Sequence, residues 1–254
     1  MAGTLRLYLA GTIRLERDPV LVTEDRLPGR QGRLAFAMLA AEHHRPLSKD
    51  VIADELWTGE PPAAWEVALR AVISKIRTAI ADVGLDGDAL AHAFGCYQLH
   101  LPPDAWVDLE VAADAVHRAE TALRDGHLED SMGWSLAANA IASRGFLAGE
   151  EGGWAALRRA DLQDVRVRAL ECRGRTLLAR EQHSAAARDA ERVVALEPFR
   201  ESAYRLLMRA EAGAGNRGQA LRAYERCRAT LSEELGAEPS SETEALYLEI
   251  LRSA

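Results

Sequence analysis

After Pro102-Pro103 the chain is restricted to one kind of secondary structure, because its apolar residues then recur only with the period of an α-helix. Glycine, proline and polar breaks divide this stretch into about seven predicted helices. The stretch also contains an internal repeat, since residues 180–193 match residues 214–227 when shifted by 34 positions. That spacing is the period of tetratricopeptide repeats. We therefore predict an all-α, tetratricopeptide-like domain over residues 105–254.

The start of the chain has the period of a β-sheet instead. Leu5, Leu7 and Leu9 alternate with polar residues, which predicts a half-buried strand. Short apolar segments around Ile13 and Val20 follow, each preceded by turn residues. Together these segments predict a small antiparallel sheet.

Three helices and a hairpin are predicted after this sheet. Helical spacing begins at Arg30, Ser48 is a predicted N-cap of a second helix, and a long third helix covers residues 63–83. A hairpin then turns at Phe94-Gly95. This order is that of a winged helix-turn-helix, which we predict over residues 1–104. The predicted fold class is therefore mixed and mainly α.

The third predicted helix carries the residues that indicate a DNA ligand. One face is apolar and would pack on the core: Leu69, Val72, Ile73, Ile76, Ile80 and Val83. The opposite face combines cations and hydroxyls with small apolar residues: Val67, Arg70, Ala71, Ser74, Lys75 and Thr78, with Arg77 at the flank. Cations can bind phosphate or guanine edges, and small residues allow close approach to a base. We predict that this face enters the major groove.

Further DNA contacts are predicted outside this helix. Arg33, Arg45 and Lys49 are candidate phosphate contacts. His92 and Tyr97, in the hairpin, complete the predicted DNA-binding set. Such cations matter because phosphate contacts supply much of the affinity of proteins for DNA.

The overall charge is the main objection to this prediction. The chain has a formal net charge of −8, and residues 1–100 account for −2 of it. Neither half is basic, so a DNA contact has to come from a local arrangement of cations.

Other classes of function find no signal in the sequence. The longest apolar run, residues 34–41, is too short to span a bilayer and no secretory leader is evident, which predicts a cytoplasmic protein. Cys96, Cys172 and Cys227 lack metal-ligand spacing, and His43-His44 should point apart on a helix, so we predict no metal and no cofactor. No P-loop, GxSxG or HExxH pattern occurs, so no catalysis is predicted.

Several motifs resemble the Streptomyces antibiotic regulatory protein (SARP) family. The matching segments include Leu47-Ser48, Glu55-Leu56-Trp57, Ile73-Ser74-Lys75-Ile76-Arg77, Val107-Asp108-Leu109, Glu197-Pro198-Phe199-Arg200-Glu201, Tyr224-Glu225-Arg226-Cys227-Arg228 and the run 233–239. The resemblance implies a winged helix that binds direct repeats near promoters, and on such repeats we expect a pair of copies. It also implies a bacterial transcriptional activator domain of seven helices, which recruits RNA polymerase through its sigma and alpha subunits.

The chain departs from the family pattern at two places. Relatives often have Arg-Asn where this chain has Glu66-Val67, although Arg70 lies four residues on and could pair with Glu66. The hairpin also lacks the wing arginine, with Ala93 and Cys96 in a segment that commonly reads Thr-Arg-x-Gly-Gly-Tyr. Two functions therefore stay open. The first is a DNA-binding activator, and the second is an interaction scaffold or effector sensor that uses the helical-repeat groove and has a degenerate winged helix.

Overall fold

A computed structural model describes residues 3–57, 59 and 61–253 of the chain. The chain divides into two compact units. The first comprises Met1–Val111 and Arg144–Leu162, and the second comprises Ala112–Ser143 and Gln163–Ala254. The domain boundary between residues 104 and 105 stays a prediction.

The first unit opens with a four-stranded sheet. Its strands are β1 (Arg6–Tyr8), β2 (Arg14–Arg17), β3 (Val20–Thr23) and β7 (Trp106–Val107), in the order β3-β2-β1-β7. The pairs β1–β2 and β2–β3 are antiparallel, as the sequence predicts. Leu5, Leu7 and Leu9 have no exposed surface, which agrees with their alternation.

Strand β7 is a departure from the sequence-based expectation. It pairs with β1 in parallel, Arg6 opposite Trp106 and Leu7 opposite Val107, in a stretch predicted to be helical throughout. Two residues are too few to give a period of their own. The strand is fixed by pairing with a segment about a hundred residues earlier, and no local pattern records such pairing.

Three helices and a second sheet complete the winged-helix part. The helices are α1 (Gly29–Ala41), α2 (Lys49–Leu56) and α3 (Trp65–Ala81). The sheet consists of β4 (Leu47–Ser48), β5 (Leu90–Ala93) and β6 (Cys96–Leu99), in the order β4-β6-β5. The Ser48 hydroxyl accepts a hydrogen bond from the Val51 amide at 3.2 Å, so the predicted N-cap is present. Helix α1 is buried on all sides from Leu34 to Ala40, which makes it the centre of this core.

The segment Arg144–Leu162 belongs to the first unit although it lies far along the chain. The Gly11 amide donates to the Gly145 carbonyl at 2.8 Å, and Ala10 forms an isolated bridge with Phe146. The buried Asp108 carboxylate holds the end of β1, since it accepts hydrogen bonds from the amides of Leu9 and Ala10 at 2.8 and 3.0 Å. Burial raises the pKa of Asp108 in spite of these bonds.

The remaining helices are seven among the described residues, as predicted: α4 (Asp108–Arg124), α5 (Leu128–Ala142), α6 (Gly153–Ala179), α7 (His183–Leu196), α8 (Glu201–Gly213), α9 (Arg217–Leu235) and α10 (Ser241–Arg252). Helices α7 and α9 begin 34 positions apart, as the repeat requires. Ala186 and Ala220 occupy equivalent positions in the repeat and both have no exposed surface. Their small side chains let neighbouring helices pack closely.

No helix in the described ranges is both long and apolar enough to cross a lipid bilayer.

Candidate nucleic-acid interface

Helix α3 presents one continuous exposed face. Its inner side is buried, with Leu69, Ile73 and Ile76 at most 1% exposed. The outer side carries the residues that we call the recognition face, all of them exposed: Val67, Arg70, Ala71, Ser74, Lys75 and Thr78. The structure therefore brings together six of the predicted contacts on one surface. Lys75 makes no ion pair with any residue that the structure describes.

Glu66 lies at the N-terminal end of this face and contacts two of its cations. Lys49 Nζ is 3.1 Å from Glu66 Oε1, and Arg70 NH2 is 3.8 Å from Glu66 Oε2. The Nε of Arg70 also donates to the Glu66 carbonyl at 3.2 Å. Glu66 therefore offsets part of the positive charge near the face. All three side chains are partly exposed, so these pairs are weak and can exchange for phosphate.

Arg77 has a positioning role in the structure. Its NH2 and Nε donate to the Leu90 carbonyl at 2.8 and 3.3 Å, and the side chain is half-buried. These bonds join α3 to the first strand of the hairpin. We therefore leave Arg77 out of the proposed DNA surface. Thr78 stays in it, although its hydroxyl donates to the Ser74 carbonyl at 3.2 Å.

Arg33 and Arg45 are held by buried carboxylates. Arg33 NH2 lies 2.9 Å from Glu150 Oε1, and the Glu150 side chain has no exposed surface. Arg45 Nε donates to Glu42 at 2.8 Å, although most of the Arg45 side chain is exposed. Because Arg33 is only 26% exposed and neutralises a fully buried charge, we leave it out of the proposed surface as well. Arg45 stays in it, because 61% of its side chain is exposed.

Glu42 is the centre of a polar network inside the first unit. Its carboxylate accepts from Trp154 Nε1 at 3.1 Å and lies 2.9 Å from Arg158 NH2. Burial alone would raise the pKa of Glu42, but the Trp154 hydrogen bond and the charges of Arg158 and Arg45 outweigh it and hold that pKa below its ordinary value. The network fixes the end of α1 to the segment Arg144–Leu162.

The hairpin formed by β5 and β6 corresponds to the wing. Phe94 and Gly95 at its tip have φ angles of 51° and 75°, as the tight turns of hairpins require. Phe94 is fully exposed, and this aromatic side chain was missed among the predicted contacts. The amide of Lys49 donates to the Gly95 carbonyl at 2.9 Å, so the hairpin tip lies at the start of α2.

The two predicted hairpin contacts have different environments. His92 is exposed, whereas Tyr97 is 3% exposed and forms part of the core. The two rings contact each other with centroids 4.6 Å apart. Tyr97 therefore packs in the core beneath the His92 ring. Only His92 of this pair remains in the proposed surface.

His43 and His44 do not point apart, contrary to the sequence-based expectation. Helix α1 ends at Ala41, so both residues lie in the turn beyond it, where helical geometry does not apply. The Nε2 atom of each ring is 2.7 Å from the same oxygen, Glu110 Oε1. The wing contacts this turn as well, because Gln98 Nε2 donates to the His43 carbonyl at 3.0 Å.

Comparison with known proteins identifies the family. Residues 107–251 match the family model described as the bacterial transcriptional activator domain, which is more than half of the chain. The chain belongs to the bacterial transcriptional activator domain family. Together with the relatives described next, this match confirms the predicted SARP-type membership.

Curated members of the family are similar to nearly the whole chain. The regulatory protein AfsR of Streptomyces coelicolor is 29% identical over 99% of this chain, which spans 25% of AfsR. The regulatory protein DnrI of Streptomyces peucetius is 28% identical over 88% of this chain and 85% of DnrI. These relatives are regulators by name.

A solved structure confirms the predicted fold class. Mycobacterium tuberculosis EmbR superposes with a TM-score of 0.85 at 24% identity, over 98% of this chain and 65% of the EmbR chain. The combination of a winged helix and a tetratricopeptide-like helical domain is therefore shared with EmbR.

Proposed function

We propose that this protein is a sequence-specific DNA-binding transcriptional activator. The observation that carries the proposal is the recognition face of α3, whose cations and hydroxyls are exposed beside a hairpin with an aromatic tip. An exposed helix of this kind reads base edges in the major groove, and the hairpin contacts the adjacent backbone or minor groove. The membership of the chain in a family with regulators supports the same function.

The finer features of this function follow the family. The winged helix binds repeated half-sites as a pair of copies, and the helical domain recruits RNA polymerase through its sigma and alpha subunits. The proposed DNA contacts are Val67, Arg70, Ala71, Ser74, Lys75 and Thr78, with Lys49, Arg45, His92 and Phe94 around them.

The proposal is tested by a gel-shift assay on the DNA upstream of the protein's own gene. We expect the wild type to retain this fragment and Arg70→Ala with Lys75→Ala to abolish retention, because both cations lie on the recognition face. The control is Arg188→Ala with Arg222→Ala, which removes two exposed cations from α7 and α9 and changes the net charge equally. Absence of salt-sensitive retention by the wild type would reject the proposal, and so would an equal loss in the control.

A second candidate function is that of a scaffold or effector sensor, with a winged helix that no longer binds DNA. The contacts of Glu66 with Lys49 and Arg70 favour it, because they reduce the charge available to phosphates. In that case the wild type would fail to retain DNA while a ligand still binds to the helical domain.

A further inference from the structure

The second unit contains a cavity of about 530 Å³ between α4, α6 and α8. We call it the arginine cavity, because four guanidinium groups and two carboxylates account for its charged lining: Arg124, Arg168, Arg175, Arg200, Glu120 and Glu171. All of these residues belong to Ala112–Ser143 and Gln163–Ala254, so the cavity lies within a single unit.

Two of the four arginines are already neutralised. Arg168 forms a bidentate pair with Glu120 at 2.7 and 2.8 Å. Arg200 forms a second pair, at 2.8 and 3.0 Å, with Glu171, which is almost completely buried. Glu120 raises the pKa of Arg168, which agrees with a strong pair. These pairs fix the walls of the cavity, so its shape exists before a ligand binds.

The charges of the other two arginines, Arg124 and Arg175, are not neutralised by a close carboxylate. The nearest carboxylate oxygen to Arg175 is Glu171 Oε1 at 3.9 Å, which is beyond hydrogen-bonding distance. Arg124 makes no ion pair with any residue in the described part of the chain. The lining therefore carries two positive charges more than negative ones, in a chain with a net charge of −8.

A second cavity extends this positive region. It has a volume of about 340 Å³ and shares Arg175 and Ser202 with the first cavity. Arg205 and Arg209 line it. Arg205 lies 3.2 Å from Glu242 and 3.8 Å from Glu201, whereas Arg209 makes no ion pair with any described residue. Arg209 therefore continues the positive region along α8, where a second anionic group of the same ligand would bind.

We propose that the arginine cavity binds a small molecule with two or more phosphate or carboxylate groups. Guanidinium groups bind both phosphate and carboxylate groups in a bidentate manner. These charged hydrogen bonds become stronger where water is partly excluded. A volume of about 530 Å³ lies within the range of roughly 300–1,000 Å³ typical of sites for small ligands. The helical domain would then bind a small ligand at a site that is separate from the DNA-binding surface.

The proposal is tested by titration calorimetry of the full chain at low ionic strength. Sodium pyrophosphate is the phosphate probe and citrate is the carboxylate probe. We expect saturable binding of one probe or both, at one site per chain, with the preferred probe identifying the group. Absence of saturable heat with both probes would overturn the proposal.

Variants localise the binding to the cavity. Arg124→Gln with Arg175→Gln should lower the affinity tenfold or more, because it removes the two cations without a full partner. Arg124→Gln alone should lower it by a smaller factor, and this residue is exposed at the end of α4 and makes no ion pair among the described residues. Arg188→Gln on α7 removes the same charge as Arg124→Gln, so it is the control for that single variant and should leave the affinity unchanged. Equal loss in this control, with circular dichroism showing all variants folded, would mean that the probes respond only to total charge.

This test is independent of the proposed function. No lining residue of the cavity belongs to the winged-helix part, so gel-shift retention of the double variant can be measured separately. If the double variant loses anion binding and still retains DNA fully, the anion site lies in the cavity and the recognition face is unaffected.

Discussion

The role of a charged residue in the first unit depends on partners that lie far away in the sequence. Glu150 has no exposed side-chain surface and is paired with Arg30 and Arg33 at 2.8 and 2.9 Å. A buried carboxylate without a partner would cost several kcal/mol, about as much as breaking a buried ion pair. Moving Arg33 to a DNA phosphate would therefore destabilise the folded protein, because Glu150 would lose one of its two partners. The sequence identifies Arg33 as a cation near the winged helix, but its partner lies 117 positions further on.

The Glu42 network gives a pH-dependent contribution to stability. The pKa of Glu42 in the folded chain lies below its ordinary value of 4.5. A carboxyl whose pKa is lowered by folding stabilises the protein above its unfolded pKa and loses that effect as the pH falls through the folded pKa. We expect Glu42→Gln to be less stable by roughly 1–3 kcal/mol at pH 7, since it weakens charged hydrogen bonds. The difference from the wild type should shrink as the pH falls below about 4.5.

Urea unfolding at pH 7, 5 and 4 measures this difference. Glu151→Gln is the control, because Glu151 is an exposed neighbour of the same segment. A Glu42→Gln variant with a constant deficit at every pH would show that lost packing, and not charge, explains the effect.

Among the elements, those with several turns of periodic sequence are predictable and the short ones are not. The apolar stripe of α3 and the 34-residue offset of α7 and α9 repeat a local rule many times, so sequence patterns locate them within about two residues. Strand β7 and the turn at His43-His44 depend on long-range pairing and on where α1 stops. For the same reason the sequence locates the recognition face but not the arginine cavity, which forms from α4, α6 and α8 together.

The hairpin tip departs in sequence from the family pattern and still forms a tight turn, with positive φ angles at Phe94 and Gly95. Phe94 is fully exposed, so its side chain contributes nothing to the packing of the hairpin. An exposed apolar ring at a wing tip can pack against sugars or partly insert into a minor groove. We expect Phe94→Ala to lower DNA affinity by roughly tenfold, equivalent to about 1.4 kcal/mol. The melting temperature should not change.

Fluorescence anisotropy with a labelled upstream fragment measures this affinity. Leu21→Ala is the matched control, since Leu21 is an exposed apolar residue of β3 in the same unit. An affinity loss of the same size in Leu21→Ala would remove Phe94 from the proposed surface.

At the scale of the whole molecule, local and average charge act in opposite directions. The net charge of −8 repels a phosphate backbone, whereas the recognition face offers Arg70 and Lys75 to it. Binding at random sites should therefore be weak, because it depends on the general attraction that this chain lacks. Specific binding has to rely on close contacts at α3 and the hairpin.

Salt dependence distinguishes these two contributions. The logarithm of the DNA affinity should fall linearly with the logarithm of the salt concentration, with a slope of about −0.9 for each phosphate neutralised. Arg70→Ala and Lys75→Ala, made singly so that binding stays measurable, should each make the slope shallower by about 0.9. Arg188→Ala leaves the slope unchanged if the contact is local, since it alters the net charge by the same amount from an exposed position on α7. A slope that shifts equally in all three variants would mean that the average field of the molecule governs binding, and the recognition face would then have no special part in it.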